Sequence, residues 1–376
     1  MHKFQSSARR CWKVAGELFY MAKPFVSVLI DTYNHERFIE EAVVSVLEQD
    51  FQAAEREILV VDDGSSDRTP KILKKFEPEI RILRKKNGGQ ASAFNAGIPE
   101  CRGDIVAFLD GDDWWSRNKL TKVAEALRAD PALGIVGHGI TVVDSEEKRR
   151  SETLREGFRF QANSVEGGKL LRRRGAFLGT SRMTIRRELL ARMGPVPETI
   201  EIQADEYLFT VAAVLAPVQI LQETLTFYRL HEANRFQLAE GAGLEKLRDK
   251  QAALAALTKA LEKKLEELGL SRRVRRTVLS YTEACAEQLR LQLDGGWSWD
   301  TAKTEWTLYR VQHPEASLAH RMFKSFVLIG ALLMPPKAFY ATRKAMTESR
   351  AYRQARQRWL PSPEMKHIEK EWRAGS

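Results

Sequence analysis

Three carboxylates crowd into one short stretch of the sequence. The apolar run Ile105–Leu109 is typical of a strand buried on both faces, and Asp110, Asp112 and Asp113 follow it around Gly111. Such carboxylates repel one another and are costly to remove from water unless a cation lies among them. Oxygen ligands suit a hard divalent ion, Mg²⁺ or Mn²⁺, whose remaining positions substrate phosphates can fill. Taken alone, the stretch is explained equally well as a solvated acidic loop.

Two earlier strands end in the same way. Asp31 and Thr32 follow the apolar run 25–30, and Asp63 ends the run that starts at residue 58. Strands that alternate with helices over short loops predict a mostly parallel sheet covered by helices. Ligands of such sheets bind beyond the carboxyl ends of the strands, so the three acidic tips are expected to share one crevice. This convergence favours a metal–nucleotide site over a solvated loop.

The phosphates of a bound nucleotide need a partner in this crevice. The sequence has no Gly-rich dinucleotide fingerprint after its first strand and no phosphate-binding loop ending in Gly-Lys-Ser/Thr. We therefore expect the metal, rather than a helix N-terminus, to hold the phosphates.

Composition limits the classes of partner and the compartment. The 376 residues allow about two domains, and the net charge of +10 favours an anionic partner. Nucleic acid is not expected, because no zinc-finger, RNA-binding or basic-zipper pattern is present. Three scattered cysteines predict a reducing compartment, the cytoplasm. The apolar segment 323–334 is too short to cross a bilayer and favours a buried helix over one lying in a membrane interface.

Several motifs, taken together, resemble the family 2 glycosyltransferases, which have the GT-A fold. The resemblance covers residues 24–236 and keeps the family's order of motifs, at 24–34, 60–67, 87–97 and 110–113. Two positions depart from the usual pattern: Asp31 stands where the family commonly has Pro, and Phe94 stands where it commonly has a basic residue.

The resemblance implies a fold and a division of the chain. We expect an α/β protein with a GT-A type, Rossmann-like, mostly parallel sheet flanked by helices, followed by a mostly α-helical C-terminal region. The predicted parts are a basic leader at 1–23, the glycosyltransferase domain at 24–240 and the helical region at 241–376.

The resemblance also assigns the donor site. The residues that it implies for donor binding are Thr32, Asp63, Asn95, Asp110 and Asp112. Asp63 is expected to bind the nucleobase with Thr32 nearby, and Asp110 to lie by the ribose and the metal. Asp112 is the implied metal ligand, and His231 of a Tyr-Arg-X-His segment is implied to lie near the metal or the diphosphate.

Contacts to the sugar and the acceptor are expected from three residues. Thr180 lies in a segment that resembles the family's acceptor side. Trp114 or Trp115 could stack on a sugar ring, and core packing beneath the site is an equally good explanation of both indoles.

A catalytic base is expected near the start of a later helix. Asp205 occupies the family's base position, with Glu206 as the alternative and Ala204 where the family commonly has Glu. The acceptor hydroxyl needs a carboxylate to take its proton, and the leaving diphosphate needs a cation. One base opposite one leaving group predicts a single displacement with inversion.

The predicted function is therefore inverting transfer of a sugar from a nucleotide-sugar, a UDP-sugar, to a glycan or lipid-linked acceptor with Mn²⁺ or Mg²⁺. We expect it to serve bacterial cell-surface polysaccharide synthesis, in the cytoplasm or peripherally on the inner face of the membrane. Two alternatives stay open: a non-catalytic nucleotide-sugar-binding protein, and a sugar-phosphate nucleotidyltransferase, for which the expected Gly-rich, basic N-terminal loop is missing.

Overall fold

The computed structural model describes residues 25–151, 157–174, 178–231, 243–312 and 318–349. The predicted leader at 1–23 and the predicted domain boundary between residues 240 and 241 lie outside these ranges. Within them, no helix combines the length and the apolar character needed to span a bilayer.

Ten strands form one sheet. Their bounds are β1 (Val26–Thr32), β2 (Arg56–Asp62), β3 (Arg81–Arg84), β4 (Ile105–Asp110), β5 (Trp114–Trp115), β6 (Ile135–Val143), β7 (Arg149–Ser151), β8 (Phe158–Phe160), β9 (Thr184–Arg186) and β10 (Val218–Arg229). The order is β3-β2-β1-β4-β9-β6-β10-β5, with β7 on β6 and β8 on β10. Strands β1 to β4 pair in parallel, and β9 runs antiparallel between β4 and β6.

Helices follow most of the strands, and the described part of the C-terminal region consists of helices. In the first part they are α1 (Ile39–Leu47), α2 (Thr69–Leu73), α3 (Gly89–Gly97), α4 (Lys119–Ala129), α5 (Val165–Arg174), α6 (Arg187–Met193) and α7 (Ala204–Leu215). The C-terminal region has α8 (Leu244–Glu267), α9 (Arg272–Leu293), α10 (Ser298–Gln312), α11 (Leu318–Leu333) and α12 (Pro336–Glu348). This arrangement confirms the predicted α/β fold with a helical C-terminal region.

Strand β1 shows why the sheet forms. Its residues are apolar on both faces, so Val28 and Ile30 enter one hydrophobic core while Leu29 enters the core on the opposite face. Helix α3 packs closely on the second face, because Gly97 leaves room for Leu29 and Val61. The sheet is therefore covered on both sides, and its polar groups are left at the carboxyl ends of the strands.

A buried carboxylate joins the last helices. Glu305 of α10 is 1% exposed and accepts hydrogen bonds from Lys324 of α11 at 3.0 Å and from Arg343 of α12 at 2.5 Å. Gln288 of α9 donates to it as well, at 2.7 Å. Because every charged partner lies on a different helix, this network fixes how the four helices pack.

The prediction of a buried helix at 323–334 is wrong for one face of the helix. Val327 and Ala331 of α11 do pack on the C-terminal core, but Phe326 is 74% exposed and Leu333 is 80% exposed. Helix α11 is apolar on two faces, and the neighbouring helices cover one of them. The periodicity of the segment indicated an apolar helix, but it could not indicate how many of its faces neighbouring helices would cover.

The packing of α3 on the sheet can be tested with Gly97→Ala. The new methyl group would meet Leu29 at 2.5 Å and Val61 at 2.8 Å, so we expect a loss of about 1–2 kcal/mol of unfolding free energy despite the better helix propensity of alanine. Denaturant unfolding measures the change. The control is Gly330→Ala in α11, where a Cβ meets nothing within 4 Å, and which should be neutral or stabilising by up to about 1 kcal/mol. Equal effects at both positions would contradict the close packing.

Candidate active site

The carboxyl ends of β1 and β4 open into one large cavity. Asp31 and Asp110 are directly paired across these strands, so their side chains belong to one sheet edge. The cavity has a volume of about 780 Å³. The predicted site residues that line it are Thr32, Asp63, Asp110, Asp112, Thr180 and Asp205. Acidic groups from distant parts of the sequence therefore do meet at one crevice.

Asp110, Asp112 and Asp113 form the densest cluster in it. Each of them offers an oxygen, and these oxygens lie within 4.8 Å of one another. Burial raises the pKa of Asp110 and of Asp113, and the negative charges of neighbouring carboxylates raise both further. An arrangement of hard oxygen donors that resists ionisation without a counter-charge fits Mg²⁺ or Mn²⁺.

Asp31 adds a fourth carboxylate to this edge. Its Oδ1 is buried and has no hydrogen-bond partner among the described residues. Burial, and then the charge of Asp112, raises the pKa of Asp31 to about 8. A buried polar atom without a partner costs free energy, so this oxygen also fits a site that is completed by a cation or a hydroxyl donor.

Asp112 differs from its neighbours because two histidines face it. His231 Nε2 lies 3.0 Å from Oδ2, and His35 Nε2 lies 3.8 Å from the same oxygen. Burial alone would raise the pKa of Asp112, but the hydrogen bond from His231 and the charges of the two histidines outweigh burial and lower it. The structure thus places the predicted residue His231 beside Asp112.

Two residues that the sequence reasoning did not assign hold the cluster in place. Ser181 Oγ donates to Asp113 Oδ2 at 2.6 Å and accepts from the backbone N–H of Asp110 at 3.1 Å. The Arg229 N–H donates to Asp113 Oδ1 at 3.0 Å, and its Nε donates to the carbonyl of Asp112 at 3.1 Å. Both residues lie in segments that resemble family motifs, but their contacts with the acidic stretch could not be predicted because they lie far from it along the chain.

Gln90 connects the carboxylate cluster to α7. Its Nε2 donates to Asp110 Oδ1 at 3.3 Å and to Thr180 Oγ1 at 3.0 Å, and its Oε1 accepts from the backbone N–H of Ala204 at 3.2 Å. The residue before Asp205 is therefore tied directly to the acidic edge. Sequence reasoning included Gln90 in a motif and gave it no role.

Asp205 lies in the first turn of α7. Burial raises the pKa of its carboxyl group, and backbone N–H groups, including that of Glu206 at 2.8 Å from Oδ1, offset part of this effect. The alternative base, Glu206, accepts hydrogen bonds from Gln203 at 2.9 Å and from Thr282 of α9 at 2.7 Å. Both carboxylates line the cavity, but Glu206 joins α7 to the C-terminal region through its hydrogen bonds, whereas burial raises the pKa of Asp205.

Asp63 borders the cavity at the start of α3. Both of its oxygens accept from the Gly88 N–H, and Oδ2 also accepts from the Gly89 N–H at 2.8 Å. Lys85 Nζ donates to Oδ1 at 2.6 Å. The Asp63 N–H donates to the carbonyl of Thr32 at 2.9 Å, which keeps the two predicted donor-site residues side by side.

Three predicted residues take packing roles. Asn95 exchanges two hydrogen bonds of 2.8 Å with the backbone of Val196. Trp115 is buried and donates from Nε1 to the carbonyl of Ser181, while Trp114 stacks on Phe227 with ring centroids 5.1 Å apart. None of the three is among the described residues that line the cavity. Trp115 thus packs in the core, whereas Trp114 is half-buried and packs against Phe227.

The helical C-terminal region supplies another part of the cavity wall. Lys250 and Leu254 of α8 and Tyr281, Thr282 and Cys285 of α9 line it. Their side chains mix apolar, aromatic and cationic character. The cavity is therefore shared by the sheet edge and the C-terminal helices rather than built by the first domain alone.

The fold is that of the GT-A glycosyltransferases. The solved structure of Staphylococcus aureus TarS residues 1–349 in complex with UDP-GlcNAc matches with a TM-score of 0.50 at 18% identity, over 77% of this chain and 90% of that chain. This likeness shows the shared fold.

The model of the family described as Glycosyl transferase family 2 matches residues 27–193. This part of the chain is a Glycosyl transferase family 2 domain and the protein is a glycosyltransferase, which confirms the resemblance. An uncharacterized glycosyltransferase of Nostoc sp. is 29% identical over 307 residues, which are 80% of this chain and 94% of the relative.

Other relatives match over shorter stretches. The uncharacterized glycosyltransferase EpsJ of Bacillus subtilis is 37% identical over 128 residues, 33% of this chain and 36% of the relative. Poly(ribitol-phosphate) beta-N-acetylglucosaminyltransferase TarS of S. aureus is 34% identical over 102 residues, 26% of this chain and 18% of the relative. The chain thus spans well under half the length of these two proteins.

The fit of a divalent ion can be tested by thermal unfolding with Mn²⁺. Binding to the folded protein should stabilise it, by about 2.7 kcal/mol at a hundred times the dissociation constant, and Asp112→Asn should remove most of the shift. The matched control is Asp50→Asn, an exposed carboxylate that no described residue connects to the cavity. A wild type without any Mn²⁺-dependent shift, or an equal shift in Asp112→Asn, would contradict the metal site.

Proposed function

We propose that this glycosyltransferase moves a sugar from a UDP-sugar to a hydroxyl group of a glycan or lipid-linked acceptor, with inversion at the anomeric carbon and with Mn²⁺ or Mg²⁺ bound. The observation that carries the proposal is that the carboxylate cluster and Asp205 border one cavity and are connected through Gln90. One group of carboxylates suits the leaving diphosphate, and one separate carboxylate suits the incoming hydroxyl.

On the donor side, Asp112 would hold the ion with help from Asp110 and Asp113. A bound divalent ion supplies positive charge for the leaving diphosphate. Asp63 and Thr32 would receive the nucleoside, because they border the same cavity as the acidic cluster and are fixed by backbone hydrogen bonds. The UDP-GlcNAc bound by TarS, a protein with the same fold, supports a UDP-sugar as the donor.

On the acceptor side, Asp205 would take the proton of the attacking hydroxyl. A carboxylate whose pKa is raised by burial binds a proton more readily than an exposed one, which suits it to act as a general base. A single base of this kind requires no covalent intermediate, so the proposed reaction inverts the anomeric centre. Thr180, close to Gln90, and the wall from α8 and α9 would receive the acceptor.

A relative supports a proposal for the acceptor. TarS carries poly(ribitol-phosphate) in its name, which supports a cell-surface polymer or its precursor as the acceptor here. We propose that the enzyme acts in the cytoplasm, in the synthesis of such a polymer.

The role of Asp205 is tested by Asp205→Asn. The amide keeps the shape of the side chain but accepts no proton, so turnover should fall roughly 10²–10⁴-fold while the affinity for the UDP-sugar stays within a factor of a few. UDP release and calorimetric donor titration measure the two quantities. Glu206→Gln is the matched control and should retain turnover far above that of Asp205→Asn. If Glu206→Gln is the inactive variant instead, the roles of the two carboxylates are reversed.

The pH dependence of kcat/KM gives a second test of the base. Asp205 must be ionised to accept a proton, and burial raises its pKa, so activity should fall as the pH is lowered through a value above the usual 3.8 of aspartate. The acidic limb should be missing from the residual activity of Asp205→Asn. An unchanged limb in that variant would assign the titration to another group.

A further inference from the structure

The outer face of α11 is apolar and open to solvent. Met322, Phe326, Ile329 and Leu333 follow one another at helical spacing, and they are 66%, 74%, 53% and 80% exposed. The opposite face of the same helix is occupied, because Lys324 binds Glu305 and both Val327 and Ala331 pack on the C-terminal core. Large exposed apolar patches of this kind mark interaction surfaces.

Two tryptophans extend this patch at one end. Trp297 is 80% exposed and Trp299 is 68% exposed. Ser298, between them, donates from Oγ to the carbonyl of Met334 at 2.9 Å, so both indoles lie near the C-terminal end of α11. Exposed tryptophans beside an apolar helix face are typical of proteins that bind at a membrane interface.

Exposed basic side chains lie on α11 and α12. They are Arg321, Lys337 and Lys344, and the side chain of Lys337 lies near Gly295, next to the loop that carries Trp297. Among the described residues 318–349 the acidic side chain is Glu348 alone. This sign of charge is complementary to anionic lipid headgroups, and each nearby Lys or Arg strengthens such binding.

From these observations we infer that the outer face of α11, with Trp297 and Trp299, docks the enzyme on an anionic lipid bilayer. The helix would lie in the plane of the interface with its apolar face among the acyl chains, since its other face stays packed on α10 and α12. A second copy of the chain is a poorer occupant, because a symmetric dimer through this patch would bring the basic side chains of the two copies together. The inference goes beyond the proposed function and stands without it.

Vesicle co-sedimentation of the full chain tests the inference. The vesicles are phosphatidylcholine mixed with phosphatidylglycerol, and pure phosphatidylcholine for comparison. We expect the wild type to bind the anionic vesicles more tightly than the neutral ones, and less tightly at high salt. The double variant Phe326→Glu with Leu333→Glu should lose roughly tenfold or more of the affinity, because it places two charges where apolar area would be buried.

The control is Leu244→Glu, which makes the same change at another exposed leucine, 72% accessible and on α8. It should bind vesicles like the wild type. The wild type, the double variant and Leu244→Glu should have the same thermal unfolding and the same rate of UDP-sugar hydrolysis without vesicles. A difference in vesicle binding would then come from neither folding nor catalysis. Lys337→Glu with Lys344→Glu should weaken binding to anionic vesicles and leave binding to neutral ones unchanged.

Three results would overturn the inference. One is that the wild type does not bind anionic vesicles. Another is that the Phe326 and Leu333 double variant binds them as tightly as the wild type. The third is that the wild type binds pure phosphatidylcholine vesicles as tightly as anionic ones. If light scattering shows a dimer that this double variant converts to a monomer, and the wild type does not bind vesicles, the patch joins two copies of the chain instead.

Discussion

Mutual repulsion among buried carboxylates is the constraint on which the site depends. Asp31, Asp110, Asp112 and Asp113 are brought together at the ends of β1 and β4, where burial removes most of the water that would stabilise their charges. The free-energy cost of burying these charges together cannot be avoided when the sheet folds, because neighbouring parallel strands end at the same edge. A divalent cation would relieve the repulsion, and such a cation would also suit the diphosphate of a sugar donor.

The surrounding contacts hold the acidic groups in place without neutralising them. Ser181 and the Arg229 backbone donate hydrogen bonds to Asp113, and His231 faces Asp112. Gln90 then joins Asp110 to the start of α7. The acidic cluster and the first turn of α7, which carries the proposed base, are therefore joined by hydrogen bonds through one side chain.

The C-terminal helices take part in the same arrangement. Thr282 of α9 donates to Glu206, the neighbour of Asp205, and other side chains of α8 and α9 complete the cavity wall. Farther out, the network around Glu305 fixes α11, whose outer face we propose to rest on lipid.

Much of this could be predicted from the sequence, for a physical reason. The acidic strand ends were recognisable because strands buried on both faces are apolar and short, so Asp63 and Asp110 stand out at their termini. The helical C-terminal region was equally visible in its periodicity. The family resemblance then pointed to Asp205, which local pattern alone would have described as a helix cap.

What could not be predicted depends on contacts between distant segments. Ser181 lies 68 residues from its partner Asp113, and Gln90 lies 114 residues from Ala204, so no local pattern reveals either contact. Trp114 and Trp115 were ambiguous because an indole beside a site packs or stacks equally well, and here both pack. The exposure of Phe326 depended on which face of α11 its neighbours left uncovered.

The most direct test of the central claim is calorimetric titration of UDP into the wild-type protein with Mn²⁺ and with EDTA. If the acidic cluster holds a cation that binds the diphosphate, UDP should bind with Mn²⁺ and lose most of its affinity in EDTA. The metal dependence should disappear in Asp112→Asn. UDP binding of equal strength in EDTA would show that the carboxylate cluster is not the diphosphate site.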